Sequence, residues 1–132
     1  MMQTYALEYE LEVRFRDCDP LGHVNNAAYL TYLEQARFAL WQHLTHATGI
    51  PRSFILARAE CDYRAPATMG DRLIVRVGIA SVGRSSFTLA YEVLNARTRQ
   101  LIATAKTVQV MYDYVAGRSV PIPDQVRAQL GG

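Results

Sequence analysis

From Tyr5 to Phe15 the chain alternates without a break. Tyr5, Leu7, Tyr9, Leu11, Val13 and Phe15 fall on one side, and Glu8, Glu10, Glu12 and Arg14 on the other. A period of two predicts a strand with one buried and one wet face. A polar stretch holding Pro20 and Gly22 follows, and the period then changes. Leu30, Leu33, Leu40 and Leu44 recur at helical spacing, which predicts a helix from about Ala27 to Ala47, ended by Gly49 and Pro51. Between Ala27 and Gln42 only Glu34 and Arg37 are charged, while Tyr29, Tyr32, Phe38 and Trp41 spread around the circumference. A helix apolar nearly all round is expected to be covered on most sides.

Four more strand-like runs follow, at about Phe54–Arg64, Arg72–Val82, Ser86–Asn95 and Gln100–Tyr112. The short turns at Gly83-Arg84-Ser85 and around Asn95–Arg99 make the last three antiparallel neighbours. Pro121-Ile122-Pro123-Asp124 reads as a stop, followed by a short capped helix to Leu130. One strand, one long helix and four strands predict an α+β fold, a five-stranded antiparallel sheet wrapped around one central helix. Apolar surface is left over, so a partner subunit is expected, in a homodimer or homotetramer.

Length and composition tighten this picture. A chain of 132 residues fits a single domain, 1–132, large enough to bury a core without a disulfide or metal staple. Its net charge of +2 is too weak a footprint for nucleic acid, although thirteen of its fourteen basic residues are Arg, the preferred fork for phosphate. No basic, apolar leader opens the chain and no run is long and apolar enough to span a membrane, so a cytoplasmic protein is expected. Cys18 and Cys61 form no C-x-x-C pair, and His43 with His46 lacks accompanying ligands, so no metal site is expected.

The densest chemistry lies at Asp17-Cys18-Asp19-Pro20-Leu21-Gly22-His23-Val24-Asn25-Asn26, where the first strand gives way to the helix. A helix N-terminus offers unpaired N–H groups that can hold a carbonyl oxygen as it becomes an oxyanion. Asp19 beside it could act as general base on water or as a carboxylate nucleophile, and Gly22 would let the backbone approach a ligand. Asp and Asn also favour caps and turns, so a merely capped turn is the competing reading.

The pattern D-x-D-P-x-G-H-V-N-N-x-x-Y-x-x-Y-x-E-x-A-R, from Asp17 to Arg37, resembles the signature of hotdog-fold acyl-CoA thioesterases, nearest the 4-hydroxybenzoyl-CoA thioesterase-like family. The resemblance implies a hotdog fold, Asp19 as the catalytic carboxylate and a backbone N–H at Asn26 that polarises the thioester carbonyl. His23 and Asn25 follow the H-V-N-N variant rather than the 4-hydroxybenzoyl enzymes proper, which leaves the acyl group open. His23 is a candidate for positioning water or thioester, and Tyr29 lies one turn into the helix beside the site.

Arg84-Ser85-Ser86-Phe87 resembles the family's basic hairpin that meets coenzyme A, which makes Arg84 and Ser86 candidates for substrate binding. Glu34 is assigned to an i, i+3 ion pair with Arg37 instead of catalysis. The expected reaction is hydrolysis of an acyl-CoA to free acid and coenzyme A, with no cofactor, coenzyme A being part of the substrate. A non-catalytic acyl-CoA or acyl-carrier-protein binding module is the alternative, and a hotdog dehydratase ranks behind both.

Overall fold

The computed structural model describes residues 4–46 and 53–131. In chain order these form β1 (Leu7–Glu12), a 3-10 turn (Phe15–Asp17), α1 (Asn26–Thr45), β2 (Phe54–Tyr63), β3 (Arg72–Val82), β4 (Ser86–Asn95), β5 (Leu101–Asp113), β6 (Arg118–Ser119) and α2 (Asp124–Gln129). The sheet is antiparallel in the order β1-β3-β4-β5-β2, with the two-residue β6 added to the end of β5. This is the α+β hotdog arrangement, a curled sheet holding one long helix. β3 and β4 have the bounds their alternation predicts, while β6 is too short to leave a pattern.

The core forms where the sheet's inner face meets α1. Leu73, Val75, Val77, Leu89, Tyr91, Val93 and Ile102 from the sheet and Leu33, Ala36 and Leu40 from the helix are almost fully buried. Polar groups also enter this layer: Arg37 donates to the Tyr91 hydroxyl at 3.3 Å, and Tyr91 shares a 2.6 Å hydrogen bond with Thr107. Glu34 reaches the Arg37 guanidinium at 4.0 Å, in the expected i, i+3 pair.

Three sequence expectations change. The alternating N-terminal face ends at Val13; the chain turns in the 3-10 segment and leaves Phe15 80 % exposed. The cause is local, since the Asp17 carboxylate accepts from the Arg14 N–H and guanidinium and closes the turn on itself. The helix is less enclosed than its uniform apolarity implies, with Leu30 exposed on its outer side. The sheet's outer face is not wholly wet either: Gly78 is buried under the backbone of Thr4 and Tyr5, which occupies the space of a Cβ.

The helix begins at Asn26, one residue before the predicted start, because Asn25 caps it by accepting the Ala27 N–H at 2.8 Å. It ends when His46 turns left-handed at φ 58° and donates to the Gln42 carbonyl. The predicted helix end at Ala47 and the stop residues Gly49 and Pro51 lie outside the described residues. Beyond the sheet, α2 meets α1 and is flanked by the buried Ile122 and Leu130, while Arg127 donates to the Gly83 and Arg84 carbonyls.

Candidate active site

The loop between β1 and α1 is built from its hydrogen bonds. The Asp17 carboxylate takes three kinds of donor: the Arg14 N–H at 2.9 Å, the Arg14 guanidinium at 2.9 Å and the Tyr32 hydroxyl at 2.8 Å. Its carbonyl accepts the Asn25 N–H at 2.8 Å, pinning the helix entrance to the turn. Burial alone would raise this carboxyl, but the bonds from Arg14 and Tyr32 outweigh it and hold it below the ordinary value. Asp17 is therefore a support for the loop, with no face left for a substrate.

Asp19 stands differently. Its Oδ1 accepts the Leu21 N–H at 2.9 Å, its N–H donates to the His23 carbonyl, and its carbonyl accepts the Gly22 N–H. Gly22 closes this tight turn at φ +87°, a conformation that a side chain would strain. Among the described residues no protein group donates to the second Asp19 oxygen. The half-buried carboxylate thus keeps one oxygen for water or a ligand.

Two grooves meet at this residue. The first, of 630 Å³, is lined by Phe15, Cys18, Asp19, Pro20, Gly22 and Met69. The second, of 430 Å³, is bordered by Asp19, His23, Asn26, Tyr29, Tyr63 and Arg64, with Val24, Ala65 and Pro66 completing it. His23 sits on its rim, held by a backbone bridge to Thr68. Tyr29 is buried against Tyr32 and Tyr63, with ring centroids 5.7 and 5.3 Å apart. Burial first, and then Cys61, Tyr63 and Cys18, push its phenol up to about 12, so at neutral pH it is a neutral hydroxyl.

At the helix entrance, the Asn25 side chain and the Asn25 carbonyl occupy the Ala27 and Ala28 N–H groups. The Asn26 N–H has no protein acceptor among the described residues, while the Asn26 carbonyl accepts the Tyr63 hydroxyl at 3.0 Å. A carboxylate with a free oxygen and a helix N-terminal donor share one groove. Together they can activate water against a carbonyl and receive the charge that forms on its oxygen.

The structure thus gathers Asp19, His23, Asn26 and Tyr29 around one groove and puts Gly22 on the other. Asn25 adjoins the site with its side-chain oxygen spent on the cap. Arg84 and Ser86 are not brought to it within one chain. They lie at the far end of β3, an element of 11 residues that spans roughly 30 Å or more. Phe15, Met69, Tyr63 and Arg64 complete the surroundings unforeseen. Tyr63 ends β2 on the alternation that faces α1, but no spacing along the chain connects it with Asn26.

Comparison with known proteins identifies the family. The family model of the thioesterase-like superfamily matches residues 13–130. A 1,4-dihydroxy-2-naphthoyl-CoA hydrolase of Synechocystis is 31 % identical over 121 residues, covering 87 % of each chain. The long-chain acyl-CoA thioesterase FadM of Escherichia coli is 25 % identical over 94 % of this chain and 96 % of its own. Among solved structures, a Thermus thermophilus thioesterase complexed with coenzyme A and Zn superposes with a TM-score of 0.84 at 33 % identity, covering 98 % of this chain and all of the other.

Proposed function

The chain belongs to the thioesterase-like superfamily and is a thioester hydrolase, and from that premise we propose that it cleaves an acyl-CoA at Asp19. The observation that carries the proposal is the pairing of a half-free carboxylate with the unoccupied Asn26 N–H on one groove. Asp19 takes a proton from water, whose oxygen adds to the thioester carbon. The carbonyl oxygen becomes an oxyanion held by the Asn26 N–H at the positive end of α1. Collapse of this intermediate breaks the C–S bond, and the departing thiolate takes the proton back. In the nucleophilic variant Asp19 itself attacks, the thiolate leaves first, and water then opens the mixed anhydride.

Each remaining side chain has a place in this scheme. His23 and the neutral Tyr29 hydroxyl border the groove where water and the thioester sulfur would lie, and Gly22 lets the turn bring Asp19 into line. Asn25 acts through the cap by fixing the helix start. The scheme uses Asp19, Asn26 and water, with coenzyme A entering as part of the substrate.

Arg84 and Ser86 enter through a second copy of the chain. β2 is an edge strand with Ile55, Leu56 and Tyr63 exposed. Antiparallel pairing of two β2 strands would set the Phe54 end of one against the Tyr63 end of the other. The start of β4 lies across β5 from Phe54, so Arg84 of the partner subunit would approach the Asp19 groove, where its guanidinium can meet a coenzyme A phosphate. The proposed functional unit is therefore at least a homodimer.

The decisive experiment is thiol release from acyl-CoA by Asp19→Asn. We expect kcat to fall by at least roughly a hundredfold while coenzyme A binding and Tm are retained. Unchanged turnover would remove Asp19 from the mechanism. After a single turnover in H2(18)O, label on the Asp19 carboxylate identifies the nucleophilic route with the anhydride opened at the Asp19 carbonyl, because general-base catalysis places the label only in the product acid.

A further inference from the structure

We propose that Tyr63 is a positioning residue of this reaction: its hydroxyl, bonded to the Asn26 carbonyl, holds the first turn of α1 so that the Asn26 N–H stays aimed into the groove. Tyr63 in this role rests on the thioesterase reading and acts through Asn26, touching neither water nor thioester.

A residue in the first turn of a helix makes no donor bond back into the helix, and helix ends fray. The direction of the Asn26 N–H is therefore set by what holds the residues around it. On one side, the Asn25 N–H donates to the Asp17 carbonyl and the Asn25 side chain accepts the Ala27 N–H, both at 2.8 Å. These bonds come from the loop that follows β1. On the other side, the Asn26 carbonyl accepts the Tyr63 hydroxyl at 3.0 Å, from the last residue of β2. β1 and β2 stand at opposite ends of the strand order, so the helix entrance is held from both edges of the curled sheet.

Tyr63 is itself firmly placed. It pairs with Ala103 of β5, and the next two N–H groups, of Arg64 and Ala65, both donate to the Ile102 carbonyl. Its ring lies against that of the buried Tyr29, with 5.3 Å between centroids. A tyrosine has only two side-chain torsions, so fixing backbone and ring leaves the hydroxyl little freedom. Burial first, and then Cys61, hold the phenol above its ordinary value, which keeps it a neutral donor at neutral pH. The bond is open to water, so it supplies aim more than stability.

The test compares the natural chain with Tyr63→Phe, which keeps the ring and loses the hydroxyl, on acetyl-, octanoyl- and benzoyl-CoA. In Tyr63→Phe kcat should fall by roughly three- to tenfold, the worth of one neutral hydrogen bond. KM, coenzyme A binding by calorimetry and Tm should stay as they are. Tyr63→Ala, which also uncovers Tyr29, should lower kcat at least as far and lower Tm as well. An unchanged kcat in Tyr63→Phe overturns the inference and leaves the thioesterase reading intact. A raised KM at constant kcat also overturns it, by placing the hydroxyl on the substrate. A loss of Tm in Tyr63→Phe as large as that in Tyr63→Ala overturns it too, by making the bond a support of the fold. No hydrolysis of any acyl-CoA by the natural chain would remove the thioesterase reading and the inference together.

Discussion

Asp17 and Asp19 are separated by one cysteine, yet Asp17 is 6 % exposed and saturated with protein donors while Asp19 keeps an oxygen free. The motif fixes which of the two to expect in catalysis, but the work of Asp17 was not legible, because its partner Tyr32 lies a full turn and a half inside the helix. Replacing Asp17 by Asn keeps its shape and removes its charge, which should cost about 2–3 kcal/mol as charge-assisted hydrogen bonds are lost. Urea titration checks this. The sign with pH follows from a folded pKa below the ordinary 3.8. The contribution of Asp17 is complete above the ordinary value and disappears as pH falls through the depressed one. Thermal melts between about pH 5 and pH 2 should therefore show a Tm loss in the natural chain that is smaller in Asp17→Asn.

Among the elements, those read well were the ones whose periodicity coincides with burial. β3 and β4 lie in the middle of the sheet, so alternation alone sets their limits. Phe15 was misplaced because pattern counts side chains and not hydrogen bonds: an aspartate two residues later closes the turn before the alternation runs out. Tyr63 and Arg64 were missed for a different reason, since they reach the site only when β2 crosses to the edge beside β5. Asn25 was ambiguous between cap and ligand, and its 2.8 Å bond to the Ala27 N–H shows the cap. Asn25→Ala should lower stability by about 1 kcal/mol in a denaturant titration. In the proposed mechanism it should also reduce kcat more than it raises KM, since the cap sets the direction of the Asn26 N–H that would hold the oxyanion.

At the scale of the whole molecule, β2 is the unfinished edge. Arg58 and Glu60 point outward from it, paired at 3.2 Å within the chain. Two β2 strands pairing about Ala59 would set Arg58 opposite Glu60 of the partner subunit, and the reverse, so the edge is complementary to itself in charge. Arg58→Glu should weaken self-association by roughly tenfold or more, and Arg58→Glu combined with Glu60→Arg should restore it, as read by sedimentation equilibrium. The other edge ends differently, in the support beneath the Asp19 loop. Arg14 beside the strand, Tyr32 within the helix and the Asn25 N–H at its entrance all close on Asp17, two residues before Asp19. To open the base of this loop is therefore to break the bonds that tie Tyr32 and the Asn25 N–H of the helix entrance to Asp17. Local breathing at that base is thereby coupled to the docking of α1, and hydrogen exchange of the Asn25 N–H should follow that of the helix.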